Sequence, residues 1–251
     1  MAIIELSNVC VNGVNTRARA QTLRQWFVKN ANAKATVISI LRDVNFYAKD
    51  GDKVAIIGRN GSGKSSLLKV VSGIYPPTSG LVNVEGSIAP MIEMGLGFDP
   101  ELSGRRNIKL SFAYRGKLHM YSKELEEKII EYSEIGEKID LPFKSYSSGM
   151  QARISFASVV FQEPEILLLD EVLAVGDASF VQKSKRTIVE KFEKASISIM
   201  VNHSLSAIED MCNRFILMDN GHILMEDSAK EVTRKYHLDI LKLENKEHAH
   251  A

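Results

Sequence analysis

The segment 58–65 has the residue types and the spacing of a loop that holds nucleotide phosphates. It reads Gly-Arg-Asn-Gly-Ser-Gly-Lys-Ser, which completes the pattern G-x-x-x-x-G-K-[ST] directly after the apolar run 54–57. Its glycines let the backbone form a nest whose N–H groups point at phosphate oxygens. Lys64 would reach the β- and γ-phosphates, and the Ser65 hydroxyl would ligate Mg²⁺. The candidate phosphate-binding residues are Gly58, Asn60, Gly61, Ser62, Gly63, Lys64, Ser65 and Ser66.

Both flanks of this loop fit a phosphate site. The apolar run before it predicts a strand, and the run 66–71 after it predicts a helix whose positive N-terminal end would face the anion. The alternative interpretation is a glycine-rich turn that binds nothing, and the strand-to-helix context argues against it.

Two carboxylates, Asp170 and Glu171, end the apolar run 166–169. This pattern predicts a buried parallel strand with its acids at the carboxyl end, where open α/β sheets place ligands. Asp170 is the candidate partner of Mg²⁺. Glu171 is the candidate general base or water-orienting group for hydrolysis. Strands often end in Asp, so this pattern alone is weak evidence for a metal site. Together with the phosphate loop it becomes strong evidence.

The segment 146–153, Tyr-Ser-Ser-Gly-Met-Gln-Ala-Arg, lies upstream of the acidic strand and resembles a degenerate L-S-G-G-Q signature of ATP-binding cassette (ABC) proteins. Alone, its Ser-Ser-Gly would be an ordinary helix cap. Its position relative to Asp170 favours the signature, with Ser147, Ser148 and Gly149 as nucleotide-binding candidates. Further on, Asp177 resembles the D-loop aspartate, and His203 resembles the switch histidine that contacts the γ-phosphate in this family.

This resemblance implies an α/β fold: a P-loop NTPase of ABC type with a mixed β core, a parallel sheet and a helical subdomain. We expect one nucleotide-binding domain over residues 1–238, with the helical subdomain at about 98–162, and a short tail at 239–251 that leaves no room for a carbohydrate-binding domain. The family pairs two copies antiparallel and sandwiches ATP between them, so Ser147 and Gly149 would act on the opposite copy's nucleotide. ATP and Mg²⁺ are the implied cofactors.

Three segments, 89–98, 146–150 and 170–177, are similar to the ATPase subunits of bacterial polysaccharide exporters, and O-antigen export is the closest match. The resemblance implies a homodimer bound to two copies of a membrane permease at the cytoplasmic face of the inner membrane. Lipid-linked polysaccharide would be the cargo, and no nucleic acid is implied. Capsule, teichoic acid or another ABC exporter cargo is the alternative.

Glu93 occupies the position of the glutamine that joins the two subdomains in general cassettes. Two interpretations stay open. The carboxylate either meets Mg²⁺ or its water, or it is a solvated loop group that only contacts the partner subunit.

The remaining sequence predicts the elements that position these residues. Alternation predicts strands over 3–11 and 37–47, and an apolar run predicts another over 196–201. Residues 104–162 favour helices. Asn220-Gly221 is a strong signal for a tight turn within a hairpin at 215–225.

Composition narrows the function classes. The net charge of +1 gives no global basic signal for nucleic acid. The two cysteines, Cys10 and Cys212, are far apart and indicate free thiols in a reducing compartment. No apolar stretch approaches the roughly 20 residues that span a bilayer, so a separate subunit would supply any pore.

The stretch 12–36 fits the resemblance poorly. It holds five basic residues and no acidic one, with Leu23, Trp26 and Phe27 at helical spacing. It either faces anionic lipid or the membrane subunit, or it forms an exposed helix whose aromatics pack on the body. No aromatic precedes Trp26, so the residue that stacks on adenine stays unassigned.

Other nucleotide-dependent classes fit less well. Chromosome-organising cassettes need a long coiled-coil insertion, and translation-associated cassettes carry two phosphate loops. Adenylate-type kinases and GTPases lack the signature and the switch histidine. A purely regulatory cassette is disfavoured because Glu171 and His203 are present.

Overall fold

A computed structural model describes residues 1–15, 36–91, 97–170, 178–202 and 209–241. The strands are β1 (Ile3–Asn15), β2 (Thr36–Lys49), β3 (Lys53–Ile57), β4 (Ser79–Glu85), β5 (Ile88–Met91), β6 (Ile166–Asp170), β7 (Ile197–Val201), β8 (Arg214–Asp219) and β9 (His222–Asp227). The α-helices are α1 (Lys64–Val71), α2 (Gly104–Tyr114), α3 (Lys123–Ser133), α4 (Ser148–Val160), α5 (Ala178–Lys194) and α6 (Ala229–Lys235). A π-helix covers Tyr236–Leu241, and 3₁₀ turns join several elements.

The central sheet has six described strands in the order β5-β6-β7-β3-β8-β9. The first five are parallel, and β9 adds an antiparallel edge next to β8. Every residue of β7 is buried, as are four of the five in β3 and in β6. Such continuous burial is expected of parallel strands covered on both faces, and it explains their unbroken apolar sequences.

A second sheet is antiparallel, with the described order β2-β1-β4. Its inner side chains share one buried core with α1 and with one face of the central sheet. The opposite face of the central sheet packs on α4 and α5. The fold class predicted from the sequence, an α/β cassette with a mixed β core, is confirmed.

The helices α2, α3 and α4 form a core of their own around Phe112, Ile129 and Ile154. Arg105, at the start of α2, bonds Glu126 at 2.6 Å and Asp140 at 3.0 Å, and these partners raise the pKa of its guanidinium. Helices were predicted over residues 104–162, and the structure forms them there.

The first hairpin is longer than predicted, since β1 extends to Asn15 and β2 begins at Thr36. The strand predicted over 3–11 is therefore too short, because residues 12–15, which were grouped with the basic stretch, belong to β1. They are extended because they continue the ladder with β2, where Asn12 pairs with Ser39 and Asn15 with Thr36. The rest of the stretch, residues 16–35, lies outside the described residues.

The structure also describes the hairpin turn, the two cysteines and the length and polarity of the helices. Asn220 and Gly221 both have positive φ, 47° and 83°, as a two-residue hairpin turn requires. Cys10 and Cys212 are free, and burial raises the pKa of the Cys212 thiol to about 12. In the described parts of the chain, no helix combines the length and the apolar character that crossing a membrane requires.

Candidate functional site

The glycine-rich loop connects the end of β3 to the start of α1, as its sequence predicted. Gly58 is buried at the point where the chain leaves the sheet. A Cβ there would lie 2.1 Å from the Met218 carbonyl oxygen and 2.7 Å from Ser62 Oγ. No side chain fits in that space, so glycine is required by packing as well as by the pattern.

The loop and the first turn of α1 border a cleft of about 260 Å³. Its lining residues are Ile40, Asn60, Gly61, Gly63, Lys64, Ser65 and Ser66. The N-terminal N–H groups of a helix carry partial positive charge and attract anions. Six of the eight residues predicted from the sequence therefore surround one cleft suited to phosphate, and Ile40 of β2 joins them.

Lys64 is almost fully buried, with 5% of its surface exposed. Its Nζ donates to the carbonyl oxygens of Gly58 and Arg59, both at 2.8 Å. The loop therefore curls around the ammonium group, which holds the first two carbonyls of the loop in place. Lys64 therefore contributes a positive charge to the loop that borders the candidate phosphate site.

Ser62 lies at the inner side of the same loop and is 2% exposed. Among the described residues, its Oγ is a buried side-chain oxygen with no hydrogen-bond partner. A buried hydroxyl without a partner loses free energy relative to one in water, on the order of 1–3 kcal/mol. A phosphate oxygen in the loop would supply the missing partner.

Asp170 is the last residue of β6 and is partly buried, whereas the four residues before it are buried. It pairs in register with Val201 of β7, and Val201 pairs with Ile56 of β3. Asp170 therefore lies two strands from β3, roughly 10 Å across the sheet, at the edge where the phosphate loop begins. A carboxylate and the Ser65 hydroxyl are hard oxygen ligands of the type that Mg²⁺ prefers, so the residues present fit this ion.

The signature segment opens α4. Ser147 is the N-cap, and its Oγ accepts from the Met150 N–H at 3.3 Å. Ser147 and Ser148 are exposed, and a Cβ at Gly149 would meet nothing within 4 Å. The described residues that line the phosphate cleft include none of these three. The segment instead presents an open helix N-terminus at the surface.

Tyr146 holds the signature segment in place through contacts of its buried side chain. Its hydroxyl donates to the carbonyl oxygens of Lys138 and Ile139, at 2.8 and 3.0 Å. A Cβ at Gly104 would lie 2.4 Å from this hydroxyl oxygen, so α2 and the signature meet without space for a side chain. Burial raises the pKa of the Tyr146 hydroxyl, which therefore stays protonated as a donor at neutral pH.

Four predicted site residues, Glu93, Glu171, Asp177 and His203, lie outside the described residues. In the sequence, Glu171 directly follows Asp170, the last residue of β6, and His203 directly follows Asn202, the residue after β7. Their roles stay predictions.

Sequence reasoning missed two contributors to the loop: Ile40 and the hairpin residue Gly221. The Gly221 N–H donates to the Ser62 carbonyl oxygen at 2.9 Å. The Asn-Gly pair predicts a turn, but no neighbouring residue in the sequence indicates which segment the turn contacts.

The phosphate loop lies on a mainly parallel sheet, and an acidic residue ends a strand two positions away at the same edge. Together with the separate helical block, this arrangement defines a P-loop nucleotide hydrolase. The family model for ABC transporters matches residues 41–174. The chain belongs to this family and is an ABC ATPase, an enzyme that binds and hydrolyses ATP.

Several curated proteins are similar to it over most of its length. The O-antigen export system ATP-binding protein RfbB of Klebsiella pneumoniae is 44% identical over 78% of this chain and 80% of its own. The protein of that name from Myxococcus xanthus is 38% identical over 90% of this chain. The chain spans 52% of the length of this Myxococcus relative. A teichoic acids export ATP-binding protein, TagH of Listeria innocua, is 40% identical over 78% of this chain and 58% of its own.

A solved dimeric ATP-binding cassette bound to ADP and phosphate has the same fold. It aligns with a TM-score of 0.67 and 20% identity, covering 90% of this chain and 98% of its own.

The unpartnered Ser62 hydroxyl leads to a prediction about ATP affinity. We expect Ser62→Ala to leave the melting temperature without nucleotide unchanged or slightly higher, because a buried hydroxyl without a partner contributes no stability. ATP affinity should fall about tenfold or more, because one hydrogen bond to a charged group contributes about 1.5–3 kcal/mol. Thermal unfolding and titration with a fluorescent ATP analogue measure the two quantities.

Ser72→Ala is the matched control for this prediction. Ser72 Oγ donates to the Lys69 carbonyl oxygen at 3.1 Å at the other end of α1. Its loss should lower stability slightly and leave ATP affinity unchanged. Unchanged affinity in Ser62→Ala would show that the hydroxyl does not contact the nucleotide.

Proposed function

We propose that this chain is the ATP-hydrolysing subunit of an ABC transporter that exports a lipid-linked polysaccharide of the O-antigen type. The similarity to several O-antigen export ATP-binding proteins carries this proposal, because it covers 78–90% of the chain at 35–44% identity. The Yersinia enterocolitica protein of this class, RfbE, is matched over 98% of its own length.

In this proposal, the phosphate loop binds ATP through its backbone N–H groups, Lys64 and the N-terminus of α1. Ser65 and Asp170 hold Mg²⁺, which neutralises charge on the phosphates. Glu171 orients or activates the attacking water, and His203 contacts the γ-phosphate. Glu93, in the segment that follows β5 in the sequence, would either meet the ion or its water or contact the partner subunit.

The exposed signature supports a site completed by a second copy. Ser147, Ser148 and Gly149 lie at an open helix N-terminus and are absent from the described lining of their own chain's phosphate cleft. They would therefore cover the nucleotide of the other subunit in a homodimer, and Asp177 would cross between the two subunits. ATP binding closes this dimer and hydrolysis reopens it, which is the switch that moves the membrane subunits.

The proposed partners are two copies of a membrane permease, with this chain at the cytoplasmic face of the bacterial inner membrane. A cleft of about 960 Å³ separates the end of α1 from the end of α2, and Tyr114 and Met120 on its border are exposed. Burial lowers the pKa of Arg115 and of Lys117 in this cleft. Its size and mixed lining suit a segment of the permease.

The test is deletion of the gene in its native host, followed by separation of surface polysaccharide from lipid-linked polymer retained inside the cell. We expect intracellular accumulation that the parental gene reverses and a Glu171→Gln gene does not. Normal surface polymer after deletion would contradict the proposal.

Teichoic acid export is the second candidate, because TagH proteins match at 37–40% identity. Chemical analysis of the accumulated polymer separates the two candidates. A glycan repeat supports O-antigen export, and a polyol phosphate chain supports teichoic acid export.

A further inference from the structure

The turn between β8 and β9 lies far from the phosphate loop in the sequence, but its backbone contacts that loop. The Gly221 N–H donates to the Ser62 carbonyl oxygen at 2.9 Å. The Gly221 carbonyl oxygen accepts from the Arg42 N–H of β2, also at 2.9 Å. The turn is therefore hydrogen-bonded on one side to the loop and on the other side to the second sheet.

These segments approach so closely that side chains are excluded between them. A Cβ at Gly221 would lie 2.6 Å from the Ile40 carbonyl oxygen. A Cβ at Gly63 would lie 3.2 Å from the same Ile40 carbonyl oxygen and 3.4 Å from the Gly221 α-carbon. The start of α1, the hairpin turn and β2 therefore meet backbone to backbone beside the phosphate cleft.

The hydrogen bond from Gly221 has a direct consequence for the loop. In a trans peptide unit, the carbonyl and the N–H point in opposite directions within one plane. The Ser62 carbonyl points at the hairpin, so the N–H of the same peptide unit, which belongs to Gly63, points away from the hairpin. Gly63 lines the phosphate cleft. A nest binds anions only when its N–H groups converge, so the direction of this peptide unit matters for affinity.

We propose that Gly221 is a positioning residue for ATP binding, because its N–H holds the Ser62–Gly63 peptide unit in the orientation that the phosphate loop requires. Gly221 does not belong to the residues assigned to the nucleotide. This inference rests on the proposed phosphate-binding role of the loop.

The test compares two glycine substitutions that impose a similar strain from positive φ. Gly221 has a φ of 83° and Gly51, in the turn before β3, has a φ of 92°. Alanine at either position is strained because L-residues rarely adopt positive φ. Only at Gly221 does the added methyl group meet backbone, since a Cβ at Gly51 would have nothing within 4 Å.

Both variants should lose stability through the positive-φ strain, and Gly221→Ala should lose more because its methyl group also meets the Ile40 carbonyl oxygen. We expect only Gly221→Ala to lose ATP affinity, by about tenfold or more. KM for ATP should rise by the same factor, and kcat at saturating ATP should stay within about threefold of the parent, because the groups that act on the γ-phosphate are unchanged. Gly221→Ala with an affinity within about twofold of Gly51→Ala would overturn the proposal.

Lys64→Met, measured in parallel, separates this inference from the proposed function. If Lys64→Met also keeps its ATP affinity, the loop does not bind phosphate and the proposed function fails first. If only Gly221→Ala keeps it, the positioning role alone is wrong.

If Gly221→Ala does not fold, hydrogen exchange on the parental chain tests the positioning role of Gly221 instead. ATP with Mg²⁺ should slow exchange of the amides at 219–222, because a tightened loop strengthens the bond from Gly221 to Ser62. The turn at 50–52 should be unaffected. Unchanged exchange at 219–222 would overturn the proposal.

Discussion

Replacing Glu171 with Gln should abolish ATP hydrolysis while leaving ATP binding intact. The substitution keeps the size of the side chain and removes the charge that orients or deprotonates water. General-base contributions are typically about 10²- to 10⁴-fold, so we expect kcat to fall within that range. ATP affinity should change little, because the phosphate contacts proposed for Lys64 and the loop remain. The variant should therefore accumulate as the closed dimer in the presence of ATP.

The same strand supplies a matched control. Glu165 directly precedes β6, at the end of that strand opposite to Glu171, and its carboxylate accepts from the Ser87 N–H at 2.8 Å. Glu165→Gln makes the same chemical change away from the candidate site and should hydrolyse ATP at the parental rate. Phosphate release measures hydrolysis, and size-exclusion chromatography with and without ATP measures the dimer. Hydrolysis by Glu171→Gln at the parental rate would remove the assigned role.

Replacing Lys64 with Met should cause the largest loss of ATP affinity, about 100-fold. Hydrogen bonds to charged groups contribute about 1.5–3 kcal/mol, and 2.7 kcal/mol corresponds to roughly this factor. The variant should also lose stability without nucleotide, because the Gly58 and Arg59 carbonyl oxygens lose a donor at 2.8 Å. Titration calorimetry and thermal unfolding measure both effects.

Lys53→Met is the control for this second prediction. Lys53 begins β3, and its Nζ donates to the Phe192 and Ala195 carbonyl oxygens at 2.7 and 2.5 Å. Lys53 at the start of β3 and Lys64 at the start of α1 thus make the same kind of contact, an ammonium group donating to two backbone carbonyl oxygens. Both variants should be less stable, and only Lys64→Met should lose ATP affinity. Equal affinities in the two variants would show that neither Lys64 nor the loop that it holds binds the nucleotide phosphates.

The sequence by itself determined the elements whose signals are contiguous. The P-loop pattern, the apolar strand ending at Asp170, and the Asn220-Gly221 turn are each encoded within a few neighbouring residues. Their local chemistry decides the backbone conformation: glycine permits positive φ, apolar runs become buried strands, and Ser147 caps a helix. The fold class was predicted from these signals together with the resemblance of the signature segment to that of ABC proteins, and the family match confirmed the family.

Tertiary structure alone decided which of these elements touch. Residues 12–15 became strand because β2 offered them a partner, although the sequence predicted that the strand ends at residue 11. Gly104 met the Tyr146 hydroxyl, and Gly221 met Ser62, between segments far apart in the chain. In the sequence, a glycine that is required because another segment packs against it looks the same as a glycine that only permits a turn. Such contacts depend on how the sheets and helices pack in three dimensions, and no short stretch of residues encodes that arrangement.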